Sequence, residues 1–319
     1  MKNVIITSAT RTAVGSLNKS LKNVPGYELG STVIKESIKR SNLKNDEIDE
    51  IILGQVLTGG TGQNPARQAA MKSGIPKEKP AYIVNQVCGS GIRSIASGFQ
   101  SIKAEDSKIV IAGGQENMSL SPHAIHLRDG KKLGNAEVID TMIKDGLWDA
   151  FHGYHMGVTA ENVATKFQVT REDQDKLLDT MINDGLIDAF NNYHMGVTAE
   201  NVAKKFDISR EEQDEFALDS QKKTLAAIND NKFDDELIKI NQDGNILDKD
   251  EHPRVDLKLS DLEKLKTIFQ ENGTVTPGNS SGINDGAAAL LLTTLDEAKK
   301  KSIEPLAKII SWASVGVEP

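Results

Sequence analysis

Three stretches of the chain, EIDEIILGQVL, AYIVNQVCGSG and SKIVIAGGQENMS, each place a run of apolar, largely β-branched residues directly before glycine or a polar turn. Between and around them lie segments with helical spacing. Leu29–Lys39 is one, and IRSIASGFQSIKAED is another, with Ile92, Ile95, Ala96 and Phe99 on its apolar positions. KNVIITSATRTAVG opens the series as a strand followed by a turn, and GGTGQNPARQAAMKSG is a loop running into a helix. Short apolar strands alternating with helices of this length predict an α/β fold, with a mainly parallel sheet covered by helices on both faces. The strand AYIVNQV is expected to continue through Val87 and to deliver Cys88 to the turn.

The alternation stops at Ser119. Ser119–Lys144 is polar, a charged helical stretch runs from Arg210 to about Asn231, and Phe233–Leu259 is again polar. Strand character resumes in GTVTPGNSSGINDGAAALLLTTLDEAKKKS. The expected organisation is therefore one α/β domain, residues 1–118 with 282–298, interrupted by an inserted loop domain, 119–281; residues 299–319 begin a further domain. A chain of 319 residues has room for about two domains. With a net charge of −8 the sequence predicts no broad basic face for nucleic acid or anionic lipid. It contains no apolar run of membrane-spanning length and no signal-peptide shape at Met1–Ala9, so a cytoplasmic location is expected.

The insertion carries an internal copy. YHMGVTAENVA occurs at Tyr154–Ala164 and again at Tyr193–Ala203. Aligning Thr141–Lys176 on Thr180–Glu215, an offset of 39 residues, gives 26 identities in 36 positions. Solenoids need at least three stacked copies. Two near-identical units, 141–179 and 180–218, instead indicate a local duplication within a loop domain.

One site stands out chemically. Cys88 is the single cysteine, so no internal disulfide and no cysteine metal cluster is expected. The order strand, Cys88, Gly89, Ser90, Gly91, helix aims the sulfur at a helix N-terminus, whose partial positive charge favours the thiolate. The glycines allow a substrate carbonyl to approach backbone N–H groups. The alternative is a buried cysteine acting as a small hydrophobe. GNSSGINDGAAA offers several donors ahead of an apolar run and reads either as a ligand loop or as an ordinary turn. The pairs His155–Met156 and His194–Met195 are not at metal-ligand spacing, and no metal site is expected. GGTGQNPAR lacks the Gly-Lys-Ser/Thr of a phosphate loop and reads as a structural turn.

The segments RTAVG, GQNPARQAA, NQVCGSG, AGGQENMS, YHMGVTAEN, SREEQDEFALDSQ and GTVTPGNSSGINDGAA occur in the order found in the thiolase family, and over essentially the whole chain the sequence resembles its biosynthetic, acetyl-CoA C-acetyltransferase type. The resemblance implies a layered α/β/α thiolase-like fold of two similar halves with a loop domain inserted in the first. It implies Cys88 as the nucleophile that takes an acetyl group from acetyl-CoA. A second acetyl-CoA then attacks to give acetoacetyl-CoA through a covalent thioester. It places His194 and Met195, or His155 and Met156, along the pantetheine and acyl channel, and Ser281 in hydrogen bonding to the pantetheine. Copy two is favoured because it runs directly into SREEQDEFALDSQ. CoA thioesters are then substrates, no cofactor is needed, and a homotetramer is implied. Alternatives are a 3-ketoacyl-CoA thiolase of fatty-acid degradation and a non-catalytic product of the same family.

The family's Asn-Glu-Ala-Phe, Gly-His-Pro and Cys-x-Gly-Gly-Gly segments are not found in these 319 residues. None of the six histidines (His123, His126, His152, His155, His194, His252) stands between glycine and proline. The expectation is a chain whose second half is largely missing, with an apolar face left exposed. Each positioned acid or base contributes about two to four orders of magnitude to rate. Thiolysis of acetoacetyl-CoA by the purified 319-residue chain is therefore expected to be close to background; turnover matching a thiolase that has those segments would overturn this expectation.

Overall fold

The computed structural model describes residues 3–124, 139–140, 187–188, 193–194, 200, 203, 208–242, 244–267, 273–280 and 282–315. The chain forms two compact units. The first comprises Met1–Ser121, Phe233–His252 and Ile283–Gly316, the second Pro122–Lys232, Pro253–Gly282 and Val317–Pro319.

In the first unit the chain runs through β1 (Val4–Thr12), β2 (Gly15–Ser16), α1 (Gly26–Arg40), β3 (Glu50–Gly54), α2 (Pro65–Lys72), β4 (Ala81–Val84), α3 (Ser90–Ala104) and β5 (Ile109–Asn117). Outside this unit lie the two-residue strands β6 (His123–Ala124), β7 (Ile139–Asp140), β8 (Ile187–Asp188) and β9 (Tyr193–His194), and the helix α4 (Arg210–Asn229). Then follow β10 (Leu237–Ile238), β11 (Ile240–Gln242), β12 (Asn245–Leu247), α5 (Leu259–Glu263), β13 (Asn284–Thr294), α6 (Leu295–Lys300) and β14 (Ala307–Lys308).

The main sheet has the strand order β10-β1-β13-β5-β3-β4. Pairings β10–β1, β5–β3 and β3–β4 are parallel, whereas β13 is antiparallel to both β1 and β5. The sheet is thus mixed rather than mainly parallel. A strand antiparallel to its neighbours needs no crossover helix, so β13 can enter the middle of the sheet after a long excursion. Alternation along β5 shows how the layers form. Ile109 and Ile111 join the core under α1 and α2, while Val110 and Ala112 join the core under α3. Both faces are covered, which is why the strands read as continuous apolar runs. Against the first face α1 buries Leu29, Val33, Ile34 and Ile38, a helical stripe.

On the second face Ala96 is buried and Ile95 and Phe99 pack against the core, as the sequence leads one to expect, but Ile92 is 75% exposed, and α3 also buries Ser90, Ser94, Gly98 and Ile102. Small residues at 90, 94 and 98 bring the helix axis close to the sheet, and the sheet answers with glycines. A Cβ on Gly54 would lie 2.5 Å from the backbone carbon of Ser90, and one on Gly114 would lie 3.6 Å from the Cα of Gly91. Ser94 Oγ donates to the Gly113 carbonyl at 2.6 Å, fixing the helix to β5.

Two domain boundaries differ from the sequence reading. Phe233–His252, expected within the insertion, belongs to the first unit. Leu237 and Ile238 pair with Arg11 and Thr12. The Arg11 guanidinium binds Glu236 through Nε at 2.6 Å and both oxygens of Asp250 through Nη1 and Nη2 at 2.8 and 3.1 Å, and it stacks 5.3 Å from the ring of Phe233. A polar segment is seated here by ion pairing, which hydrophobic periodicity does not report. Residues 299–315, expected to begin a further domain, also belong to the first unit, where Ala307 and Lys308 pair with Ile6 and Ile5 of β1.

Polar groups close the carboxyl ends of β3 and β5. Gln115 Nε2 donates to Gln55 Oε1 at 2.8 Å, and Asn117 Nδ2 donates to the carbonyls of Leu21 and Val24, both at 2.8 Å. Burial, with a further contribution from nearby Asp285, pushes the Glu116 carboxyl up to about 7. Burial likewise raises Asp285, against the hydrogen bonds it accepts from Ser119.

In the second unit, Ser209 and Glu212 form a reciprocal cap on α4: Ser209 Oγ accepts from the Glu212 N–H at 3.1 Å, and Glu212 accepts from the Ser209 N–H at 2.7 Å. Asp214, 1% exposed, accepts from Arg210 Nε at 2.6 Å and Asn279 Nδ2 at 2.8 Å. Arg210 also donates to the carbonyls of Leu262 and Leu265, tying α5 to α4.

Two outcomes follow from this packing. Gly54→Ala drives a methyl into the backbone of α3 and is expected to cost about 2–4 kcal/mol in urea unfolding; a cost below about 0.5 kcal/mol, the range of an ordinary surface change, would show that α3 does not need the close approach. For Glu116, the folded carboxyl titrates near 7 and the unfolded one near 4.5. The associated stability is present below the unfolded value and lost as pH rises through 7, a fall of up to about 3 kcal/mol. Comparing urea midpoints at pH 5 and pH 8 should show a smaller loss in Glu116→Gln than in wild type. An equal loss in both would refute the assignment to Glu116.

Candidate active site

Parallel strands β3, β4 and β5 end at the same rim of the first unit's sheet, the usual place for a binding site in an α/β sheet. β4 ends at Val84, three residues earlier than the sequence reading, and a turn of Asn85, Gln86 and Val87 delivers Cys88. Val87 has φ +48°. For a β-branched residue this conformation is strained by about 1–3 kcal/mol, so its surroundings must hold it.

The hold is visible. Asn85 Oδ1 accepts from the Val87 N–H at 3.0 Å. Ser90 Oγ accepts from the Gln86 N–H at 2.9 Å and donates to the Val87 carbonyl at 2.5 Å. The N–H groups of Gly89 and Ser90 donate to the carbonyls of Gln86 and Val87, both at 3.0 Å. The thiol of Cys88 emerges exposed, two residues before α3 begins. The buried-hydrophobe alternative is therefore excluded. Gly91 leaves open space beside the turn, since a Cβ there would meet nothing within 4 Å. The outer side of the turn is braced by Gln86 Nε2 donating to Ser314 Oγ at 3.1 Å and by Arg93 stacked 5.3 Å from Trp312.

Behind the turn, Glu116 Oε2 accepts from the Val56 N–H at 2.8 Å and the Leu57 N–H at 3.4 Å. Sequence reasoning missed Asn85, Ser90 and Glu116 as parts of this site. The available signal was IVIAGGQEN, in which an apolar run and two glycines are followed by a carboxylate set between Gln115 and Asn117 at the end of the strand.

Of the other sequence-predicted residues, His155, Met156, Met195 and Ser281 lie outside the described residues, and His194 is placed only by its backbone, in β9 opposite Ile187. In the GNSSGIND loop, Asn279 is spent on the loop itself and on Asp214: Nδ2 donates to the Thr274 carbonyl at 2.9 Å and Oδ1 accepts from the Thr276 N–H at 2.7 Å. Ser280 Oγ donates to the Thr276 carbonyl at 2.8 Å. GGTGQNPAR is the structural turn expected. Asn64, at φ +42°, caps α2 by accepting from the Arg67 N–H at 3.1 Å, and Gln68 closes the loop onto the carbonyls of Thr61 and Gln63. Among the described residues no group of three or more His, Cys, Asp or Glu could hold a metal ion.

Comparison with known proteins identifies the family. The family profile "Thiolase, N-terminal domain" matches residues 4–178 and again residues 176–296. The two matches meet within a few residues of the junction between the two copies, 179/180. An acetyl-CoA acetyltransferase of Rhizobium meliloti is 47% identical over 99% of this chain and 72% of that protein. The cytosolic acetyl-CoA acetyltransferase of Rattus norvegicus is 42% identical over 99% of this chain and 71% of that protein. Among solved structures, the Bacillus anthracis acetyl-CoA acetyltransferase superposes with a TM-score of 0.81 at 35% identity, covering 100% of this chain and 72% of that one. The profile covers most of the chain, and relatives more than 40% identical span nearly all of it: the chain belongs to the thiolases.

Proposed function

We propose that the chain is of the acetyl-CoA acetyltransferase type of thiolase, whose reaction takes two acetyl-CoA molecules to acetoacetyl-CoA and CoA, that Cys88 carries the acyl thioester, and that these 319 residues by themselves turn over slowly, as expected above. The observation that carries this reading is the exposed Cys88 thiol on a held, left-handed turn directly before α3. In the first half-reaction the Cys88 thiolate attacks the acetyl carbonyl carbon. A new sulfur–carbon bond forms, the bond to the CoA sulfur breaks, and the CoA thiolate takes up the proton that Cys88 released. N–H groups of the first turn of α3 supply positive potential to the oxyanion that develops. In the second half-reaction a second acetyl-CoA gives up a methyl proton and its carbanion attacks the same carbon; the bond to Cys88 breaks, and the departing Cys88 thiolate takes up that proton, restoring the thiol. The relatives' names favour the acetyl substrate over longer 3-ketoacyl thioesters.

In this reading His194 and Met195 of copy two, with Ser281, contact the pantetheine. Support comes from Glu200, six residues beyond His194. It is 1% exposed and accepts from Thr274 Oγ1 and the Val275 N–H, both at 2.5 Å, and from the Thr274 N–H, seating the segment that leads to Ser281. CoA thioesters are substrates here and no cofactor takes part. The reading includes a cytoplasmic setting and assembly into a homo-oligomer, the family tetramer being the expected form. No helix among the described residues is long and apolar enough to cross a membrane.

Intact-mass measurement after incubation with acetyl-CoA tests the first half-reaction: one acetyl group on Cys88, absent in Cys88→Ser, is expected. An unmodified wild-type chain would reject the proposal. His194→Ala should slow that acetylation by about tenfold, and His155→Ala should slow it less. Equal effects would reject the assignment to copy two.

A further inference from the structure

The three loops at the rim that carries Cys88 are joined by a continuous set of hydrogen bonds. Glu116, at the end of β5, accepts from the Val56 N–H at 2.8 Å, in the loop after β3. The carbonyl of the same residue, Val56, accepts from Asn85 Nδ2 at 3.4 Å, in the loop after β4. Asn85 Oδ1 then accepts from the Val87 N–H at 3.0 Å. The set thus ends on the residue with φ +48° that immediately precedes Cys88. We propose that Glu116 and Asn85 are positioning residues for Cys88, acting through the Val56 backbone to hold the strained turn that aims the sulfur. The inference rests on Cys88 being the nucleophile.

Three features make a shared role more than coincidence of packing. First, Val87 is 57% exposed, so contact with a core cannot hold its backbone, and hydrogen bonds must. Second, Asn85 serves as donor and acceptor at once: its two amide ends reach two different loops, so removing it frees both together. Third, Glu116 is a carboxylate kept at the end of a strand whose preceding residues are apolar, alanine or glycine, apart from Gln115. It spends Oε2 on the two backbone N–H groups of the Val56–Leu57 loop. Its raised titration follows from burial and from Asp285, and it still accepts from those groups when neutral. The weakest link is the 3.4 Å bond from Asn85 to Val56, and this is where uncoupling is easiest to produce.

The test is the rate of Cys88 alkylation by iodoacetamide at pH 8, with amide hydrogen exchange across residues 85–91 and urea midpoints on the same samples. Asn85→Ala and Glu116→Ala are each expected to slow alkylation by about fivefold to tenfold, as small misplacements of a reacting atom do, and to speed exchange of the Val87 amide. Glu116→Gln should restore a near wild-type rate, because its amide oxygen accepts the same N–H groups. The double variant Asn85→Ala/Glu116→Ala should be no slower than the slower single one, as for residues acting through one chain. Glu116→Leu substitutes for Glu116→Ala should the alanine variant not fold. Single variants that alkylate and exchange like wild type, or a double variant whose loss is the product of the two, would overturn the proposal. Wild-type Cys88 that alkylates no faster than in the urea-unfolded chain would instead remove the nucleophile reading. The exchange data then decide the relay alone: protected exchange lost in both single variants keeps it, and unchanged exchange sinks it.

Discussion

The near-contact of α3 with the sheet is the constraint from which the rest of the first unit follows. A helix packed on ordinary side chains sits about 10 Å from a sheet; one that meets glycine backbones sits closer. Gly54 and Gly114 on the strands face Ser90 and Gly91 on the helix, the Gly113 carbonyl accepts from Ser94, and a side chain at Gly54 would occupy the space of the Ser90 backbone. Only residues 85–89 link β4 to this closely seated helix, and within that short turn Val87 takes a positive φ. The strained turn, the exposed thiol and the polar braces beneath it are gathered beside that one close contact.

The elements of the first unit were largely legible in the sequence, because apolar runs bounded by glycine report strands buried on both faces. β3 and β5 were found at their observed places, and α1, α3 and α4 to within a few residues. The direction of β13 was not legible, since an apolar run such as AAALLL is the same whichever way its neighbours point. Nor was the seating of Phe233–His252, which depends on Arg11 meeting Glu236 and Asp250 across more than 220 residues of chain. Of the site, Cys88 was legible from its turn and helix. Asn85 and Glu116 were not, because each acts through the backbone of Val56, and a backbone atom leaves no mark on a sequence.

The duplicated segment shows how tolerant such an insertion is. Lengthening an excursion costs only the added loop entropy, about 0.6 kcal/mol for each doubling of length, and 39 more residues are short of a doubling of the stretch Pro122–Lys232 that leaves the first unit. The family profile matches the chain in two pieces that meet close to the junction of the copies. The first unit's sheet places no demand on the length of what lies between β5 and β10, provided both strands can reach their places.

The central place of β13 has a consequence for the order in which the molecule assembles. Between them, β1 and β5 flank a slot that only β13 fills, pairing Val4 with Thr294 and Ile109 with Thr293. Until that strand leaves the ribosome, both sides of the slot present unpaired backbone and apolar side chains. Contacts this distant in sequence make folding slow and leave the nascent chain open to aggregation. Every residue added to the insertion lengthens that wait, so a segment that costs the finished structure almost nothing is charged to the unfinished one.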